Sequence, residues 1–241
     1  MKRFKLARKP ILAIALLLTA SYAVLKAPEW HAEYIRHKVG SQVVMLTEAS
    51  GRAGGTGFAL QMPSGEVLTM TNAHICELEQ LGRIYAHVGR KKIPLEIVEK
   101  SINSDLCLLS GIPKLSGLEV ADSVAIGQEI GIVGHPALMP LAVNRGNLLG
   151  YEKVVVLAGD GPCEVEEGMF KTIMAPWGEV CTEQFEAGLT TVVSLGGNSG
   201  SPMIDFYGNV VGVLFAGGGP DSANWGIIVK LSDLKEFIKE Y

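Results

Sequence analysis

A serine, a histidine and an aspartate are the side chains whose placement in this sequence points to chemistry. Ser199 lies in the string Gly196-Gly197-Asn198-Ser199-Gly200-Ser201-Pro202, directly after an apolar run. A serine hydroxyl is a weak nucleophile on its own. It needs a general base, normally histidine, which a carboxylate holds in the right tautomer. All five histidines, His31, His37, His74, His87 and His135, precede Ser199. The chain order that places the base after the nucleophile is therefore excluded, and Ser201 breaks the G-x-S-x-G elbow. The first aspartate is Asp105, so an Asp-before-His order leaves only Asp105, His135 and Ser199, without the alternating strands and helices on which that order is built. The order His74, Asp105, Ser199 fits directly.

The segments around these residues suit the task. Val67 to His74 reads as a strand running into a turn that presents the imidazole, and Ser104-Asp105-Leu106-Cys107-Leu108-Leu109 opens a strand with a carboxylate at its mouth. From Ser41 onward, short β-branched or apolar runs alternate with Gly, Pro, Ser and Asn, the pattern of an antiparallel sandwich or barrel. Expected strands include Gln42–Leu46, Gly57–Leu60, Val67–Met70, Arg83–His87 and Leu106–Leu109, then Glu129–Val133, Asn147–Gly150, Val154–Leu157, Thr190–Ser194, Val210–Phe215 and Trp225–Val229. A helix is expected over Leu231–Tyr241, capped by Ser232, with Leu234, Phe237 and Ile238 facing inward. Residues 160–186 hold seven acidic residues and one lysine and read as a surface insertion.

Taken together, the three segments are similar to those of the chymotrypsin/trypsin superfamily, above all its bacterial HtrA-type and trypsin-like branches. Gly55-Thr56-Gly57-Phe58, Leu68-Thr69 and Asn72-Ala73-His74 resemble the branch pattern G-S/T-G-F … L-T-x-x-H-V. Ser104-Asp105-Leu106 resembles its D-L/I-A-V-L strand, and Gly197-Asn198-Ser199-Gly200-Ser201-Pro202 its G-N-S-G-G/S-P nucleophile loop. The similarity covers roughly residues 41–240. It implies an all-β fold of two six-stranded antiparallel β-barrels with a short C-terminal helix, residues 41–120 forming the first barrel and 121–241 the second with the helix. It also implies a serine endopeptidase acting through His74, Asp105 and Ser199, with an oxyanion hole of the Gly197 and Ser199 N–H groups. Val193 and Ser194 would lie at the base of the primary pocket, and Phe215, Ala216 and Gly217 on the strand that pairs with substrate. No metal and no cofactor are implied, and the partner is a protein or peptide substrate. The alternatives are a catalytically silent binding module on the same barrels, and an esterase or self-processing enzyme using the same site.

Departures from the family matter too. The residue before the nucleophile is Asn198 rather than the Asp that pairs with a freshly cut N-terminus in digestive relatives, so activation by clipping is not expected. About forty residues follow Ser199, and no PDZ module is expected among them. The glycine string lacks the Lys of a phosphate-binding P-loop. His135 reads as a loop residue, His31 and His37 as part of a solvated stalk, and His87 as a cross-strand or surface residue.

Composition sets the context. The 241 residues are 48% hydrophobic and 19% charged, which excludes a disordered or charge-driven scaffold. Lys2, Arg3, Lys5, Arg8 and Lys9 precede an apolar run from Ile11 to Leu25. This is the layout of a secretory signal or a single signal anchor over residues 1–25, an apolar helix joined to the body by a linker or short helix over 26–40. An exported protein, periplasmic or extracellular, is expected, touching membrane only through that segment. Without those five cations the chain carries 16 basic against 25 acidic residues, a net of −9. Such a body offers no footprint for nucleic acid. Export permits disulfides among Cys76, Cys107, Cys163 and Cys181. A Cys163–Cys181 bridge is favoured, as it would close a poorly anchored segment, while for Cys76 and Cys107 a role as small buried hydrophobes stays open.

Overall fold

The computed structural model describes residue 31 and residues 33–101, 103–163, 170–176, 178–217 and 225–241. The expected signal or anchor at 1–25 lies outside them. Among the described residues, fourteen strands form two sheets. The first holds β1 (Val43–Thr47), β2 (Gly54–Gln61), β3 (Val67–Thr71), β4 (Ile84–Val88), β5 (Lys91–Leu95), β6 (Ile97–Ser101) and β7 (Leu106–Leu109). Its order is β5-β4-β1-β2-β3-β7-β6. Strands β5 and β6 are the two ends of this order, yet only Glu96 separates them in the chain, so one bent strand closes the barrel. Counted that way, the ring has the six members expected.

The second sheet holds β8 (Glu129–Gly134), β9 (Ala142–Asp160), β10 (Phe170–Ala175), β11 (Gly178–Thr190), β12 (Pro202–Ile204), β13 (Val210–Gly217) and β14 (Gly226–Lys230). Its order is β10-β11-β14-β13-β12-β8-β9, and β9 pairs with β11 to close a second ring of six. Strand β10 is appended outside that ring. The two strands expected at 147–150 and 154–157 are parts of the single long β9. The described parts of the acidic tract are built into a three-stranded extension: β10 and β9 pair with opposite edges of β11, and a Cys163–Cys181 disulfide lies toward its outer end.

Period-two alternation divides each strand between two cores. On β7, Cys107 and Leu109 enter the interior of the first barrel with Val44, Leu46 and Ile84. Leu106 and Leu108 enter a second cluster that joins the barrels, with Phe58 and Met70 from one side and Val133, Val213 and Phe215 from the other. Each such side chain withdrawn from water contributes about 1.5–3 kcal/mol. The connecting segment is stitched to both barrels. Leu118 N–H donates to Ala59 O and Leu118 O accepts from Gln61, while Val210 N–H donates to Glu119 O and Ala121 N–H to Val210 O.

The fold also carries the short helices α1 (Ala73–Cys76) and α2 (Leu231–Ile238). Leu231, Leu234 and Ile238 are the buried residues of α2, with Phe237 partly buried. Ser232 does not cap this helix. The cap position is Lys230, whose ammonium pairs with Glu186 and Asp233, and Ser232 Oγ bonds Asp233. Residues 33–38 are helical. His31, just before them, stacks on Phe206 at 3.9 Å between ring centroids and bonds its carbonyl oxygen at 2.8 Å. The segment thereby docks on the β12–β13 turn rather than standing free.

Candidate active site

His74 and Asp105 meet where α1 leaves β3 and the chain enters β7. The pairing Thr71↔Cys107 brings these two strand ends together. Asp105 adopts a left-handed backbone, φ +46°, a conformation costly for a residue with a Cβ. Neighbouring groups hold it there: its carbonyl oxygen accepts from Ala73 N–H at 3.1 Å and from Asn72 Nδ2 at 3.0 Å. The carboxylate turns inward, 5% exposed, and grips His74 twice. Oδ1 accepts the His74 backbone N–H at 2.9 Å and Oδ2 lies 2.8 Å from Nδ1. An ionised carboxylate can only accept, so Nδ1 carries a proton and Nε2 is left as the basic nitrogen.

A second disulfide pins the same two segments. Cys76, two residues past His74, is bonded to Cys107, two residues past Asp105, with Cα atoms 6.5 Å apart. These cysteines are not isolated thiols filling core space, and the described cysteines include none that is free.

Ser199 comes from the second barrel. Its hydroxyl donates to the Phe215 carbonyl oxygen at 3.4 Å, while the Phe215 ring meets the His74 imidazole edge-on, centroids 5.9 Å apart. Phe215 is the extra residue of a β-bulge: Leu214 pairs with Ile228 and Ala216 with Ile227, leaving it without a ladder partner. Bulges re-aim groups in this way. Here the carbonyl faces the Ser199 hydroxyl and the ring faces the His74 imidazole.

The loop ahead of Ser199 is fixed by its glycines. Gly197 has φ +89° and lies so close to the 135–138 segment that a Cβ would come within 2.6 Å of His135 O. Asn198, Gly200 and Ser201 N–H groups donate to Leu195, Leu214 and Asn198 carbonyls, respectively, whereas Gly197 and Ser199 N–H take no part in these backbone bonds. Thr56, on β2, was not singled out from sequence, because its contacts are all tertiary. Its N–H donates to Ser199 O at 2.8 Å, its hydroxyl donates to Gly197 O at 2.8 Å, and that hydroxyl accepts from His135 N–H at 3.0 Å. The string Gly55-Thr56-Gly57 was the available signal.

The remaining predicted residues flank the nucleophile. The strand expected over Thr190–Ser194 ends at Thr190. Thr191 is drawn aside by Asn147, its hydroxyl accepting the Asn147 N–H at 2.8 Å and its N–H donating to Asn147 O at 3.0 Å. Val193 is 40% exposed, whereas Ser194 is buried and its Oγ has no hydrogen-bond partner among the described residues. Gly217 passes so near that a Cβ would lie 2.8 Å from Ser194 Cβ. Ala216 is half-buried against the core that joins the barrels. His135 seats the Gly197 loop through its backbone. Its imidazole Nδ1 bonds Met139 O at 2.9 Å, and burial pushes its pKa down against that bond. His87 pairs across the sheet with Thr47 Oγ1 at 2.9 Å. Among the described residues no group of three or more His, Cys, Asp or Glu side chains is placed to hold a metal.

Comparison with known proteins decides the family. Residues 55–213, more than half of the chain, match the trypsin-like peptidase domain. The chain is a member of the trypsin-like peptidase family. It is thus a serine-type endopeptidase on a chymotrypsin-like fold. The active form of the Rv3671c protease from M. tuberculosis superposes with a TM-score of 0.63 at 20% identity, covering 85% of this chain and 83% of that one. The HtrA-type protease AlgW, solved with a tripeptide, gives 0.63 at 14% identity and covers 86% and 62%. A serine endoprotease from Yersinia pestis gives 0.62 at 13% identity and covers 87% and 65%. At such identities the solved structures speak for the fold alone. No curated protein sequence matches the chain significantly.

Proposed function

We propose that this peptidase cuts peptide bonds with Ser199 as nucleophile, His74 as general base and then general acid, and Asp105 as the orienting carboxylate. The observation that carries the reading is the two-point grip of Asp105 on His74 beside Phe215, whose carbonyl accepts the Ser199 hydroxyl. Ser199 Oγ forms a bond to the scissile carbonyl carbon as its proton passes to His74 Nε2. Gly197 and Ser199 N–H groups receive the resulting oxyanion. Collapse breaks the C–N bond, and His74 returns its proton to the departing amine. Water then repeats the sequence on the acyl-serine and releases the acid.

Substrate would pair as an added strand along Phe215–Gly217, with main-chain bonds supplying affinity. Val193 and Ser194 bring no charge to the pocket base, which supports small or aliphatic residues before the cut. The basic start and the apolar run support an exported enzyme whose membrane contact is confined to that segment. The test is hydrolysis of casein and of small-aliphatic fluorogenic peptides by wild type and Ser199→Ala. A fall in kcat of roughly 10⁴-fold or more in the variant is expected. Equal hydrolysis by both would refute the assignment.

A further inference from the structure

The three-stranded extension reaches the active site through one side chain. Phe185 stands on β11 opposite Val154, half-buried against the core that joins the barrels. Its ring meets that of Phe215 at 4.7 Å between centroids and 71° between planes. The Phe215 ring in turn meets the His74 imidazole at 5.9 Å and 86°. Two successive near-perpendicular contacts, the arrangement aromatic rings prefer, thus link the extension to the base.

Each link is one that packing must hold. Phe215 is bulged out of its ladder, so its orientation depends on what presses on the ring. Asp105 holds His74 along one edge, and the Phe215 ring packs edge-on against the imidazole. The Phe215 ring is the wall it meets, and Phe185 braces that wall.

We propose that Phe185 is a positioning residue for His74, acting through Phe215, so that the disulfide-closed extension and the base behave as one unit. This rests on the triad reading above. Phe185 itself touches no reacting atom. Misplacing a base by a fraction of an ångström lowers turnover rather than affinity.

The experiment compares the full-length wild type with Phe185→Tyr, Phe185→Leu and Phe185→Ala. It reads kcat and KM on a fluorogenic peptide, together with the low-field proton resonance of the His74 Nδ1–H bonded to Asp105. The tyrosine variant keeps the ring and is expected within about twofold of wild type in kcat. Leucine and alanine fill less or no ring space, and kcat is expected to fall roughly ten- to hundredfold while KM stays within about threefold and the low-field proton broadens. Should the alanine variant fail to fold, the leucine variant carries the test. Unchanged kcat with a sharp proton in the leucine variant overturns the proposal, as does an equal loss in the tyrosine variant. If the wild type shows the sharp proton yet cleaves no peptide, the catalytic reading falls, and the proton spectra of the variants still decide the positioning role.

Discussion

The Thr56 backbone N–H donates to the carbonyl oxygen of Ser199 across the barrel interface, at 2.8 Å. Together with the Thr56 hydroxyl, which bridges Gly197 O and His135 N–H, this bond registers the Ser199 loop of one barrel against the barrel that carries His74. Removing the hydroxyl while keeping the shape isolates its share. Thr56→Val should leave two part-buried polar groups unpaired, cost about 1–3 kcal/mol, and lower kcat more than it raises KM. Urea unfolding and steady-state kinetics check both effects.

Gly197 carries a second prediction. Alanine there meets both a left-handed backbone and the His135 carbonyl, so the loop must shift and its N–H must swing away. Loss of one oxyanion donor costs roughly 10²–10³-fold in kcat. Gly197→Ala is expected in that range, with a folded far-ultraviolet spectrum.

The Cys76–Cys107 bridge closes a 31-residue separation and joins the segment just after His74 to the segment just after Asp105. A chain-entropy account gives such a cross-link about 3–4 kcal/mol. The double variant Cys76→Ser, Cys107→Ser should unfold at markedly lower urea concentration and lose activity before global unfolding. The double variant Cys163→Ser, Cys181→Ser, in the extension, should lose less stability in the first barrel. Hydrogen exchange of the β3 and β7 amides distinguishes the two.

Acid stability should depend on Glu48, a buried carboxylate at the β1–β2 turn. The Ser50 hydroxyl at 2.5 Å, aided by the Arg52, Ser50 and Ala53 N–H groups, holds its pKa down at about 2 against desolvation. A carboxyl lowered on folding stabilises the native state above its unfolded value of about 4.3 and loses that contribution as pH falls through its folded value. Wild type should therefore exceed Glu48→Gln in Tm at neutral pH, with the gap closing between about pH 4.5 and pH 2. A gap that stays constant across that window would contradict this.

Sequence reading reached the peptidase family because the three segments that carry the resemblance are local: a serine among glycines, a histidine after a strand, an aspartate before one. It reached the barrels through punctuated alternation. It missed β5 and β6 because Lys91, Lys92 and Pro94 stand on an exposed edge, where charge and proline replace the apolar pattern. It extended a strand through Ser194 because Thr191, Val192 and Val193 have strand propensity, yet Asn147 pulls the chain out of the sheet. The roles of Thr56 and Phe185 and the Cys76–Cys107 pairing come from residues 30 to 143 positions apart in the chain. No local pattern encodes such partners.

The central claim is that His74 activates Ser199. The most direct measurement is the rate at which a fluorophosphonate forms an adduct on Ser199 in the folded enzyme, read by mass spectrometry, in wild type and in His74→Ala. The account predicts stoichiometric labelling of Ser199 in wild type and a rate at least about 10³-fold lower in the variant. Unlabelled wild type, an adduct on another residue, or equal rates in the two proteins would contradict it.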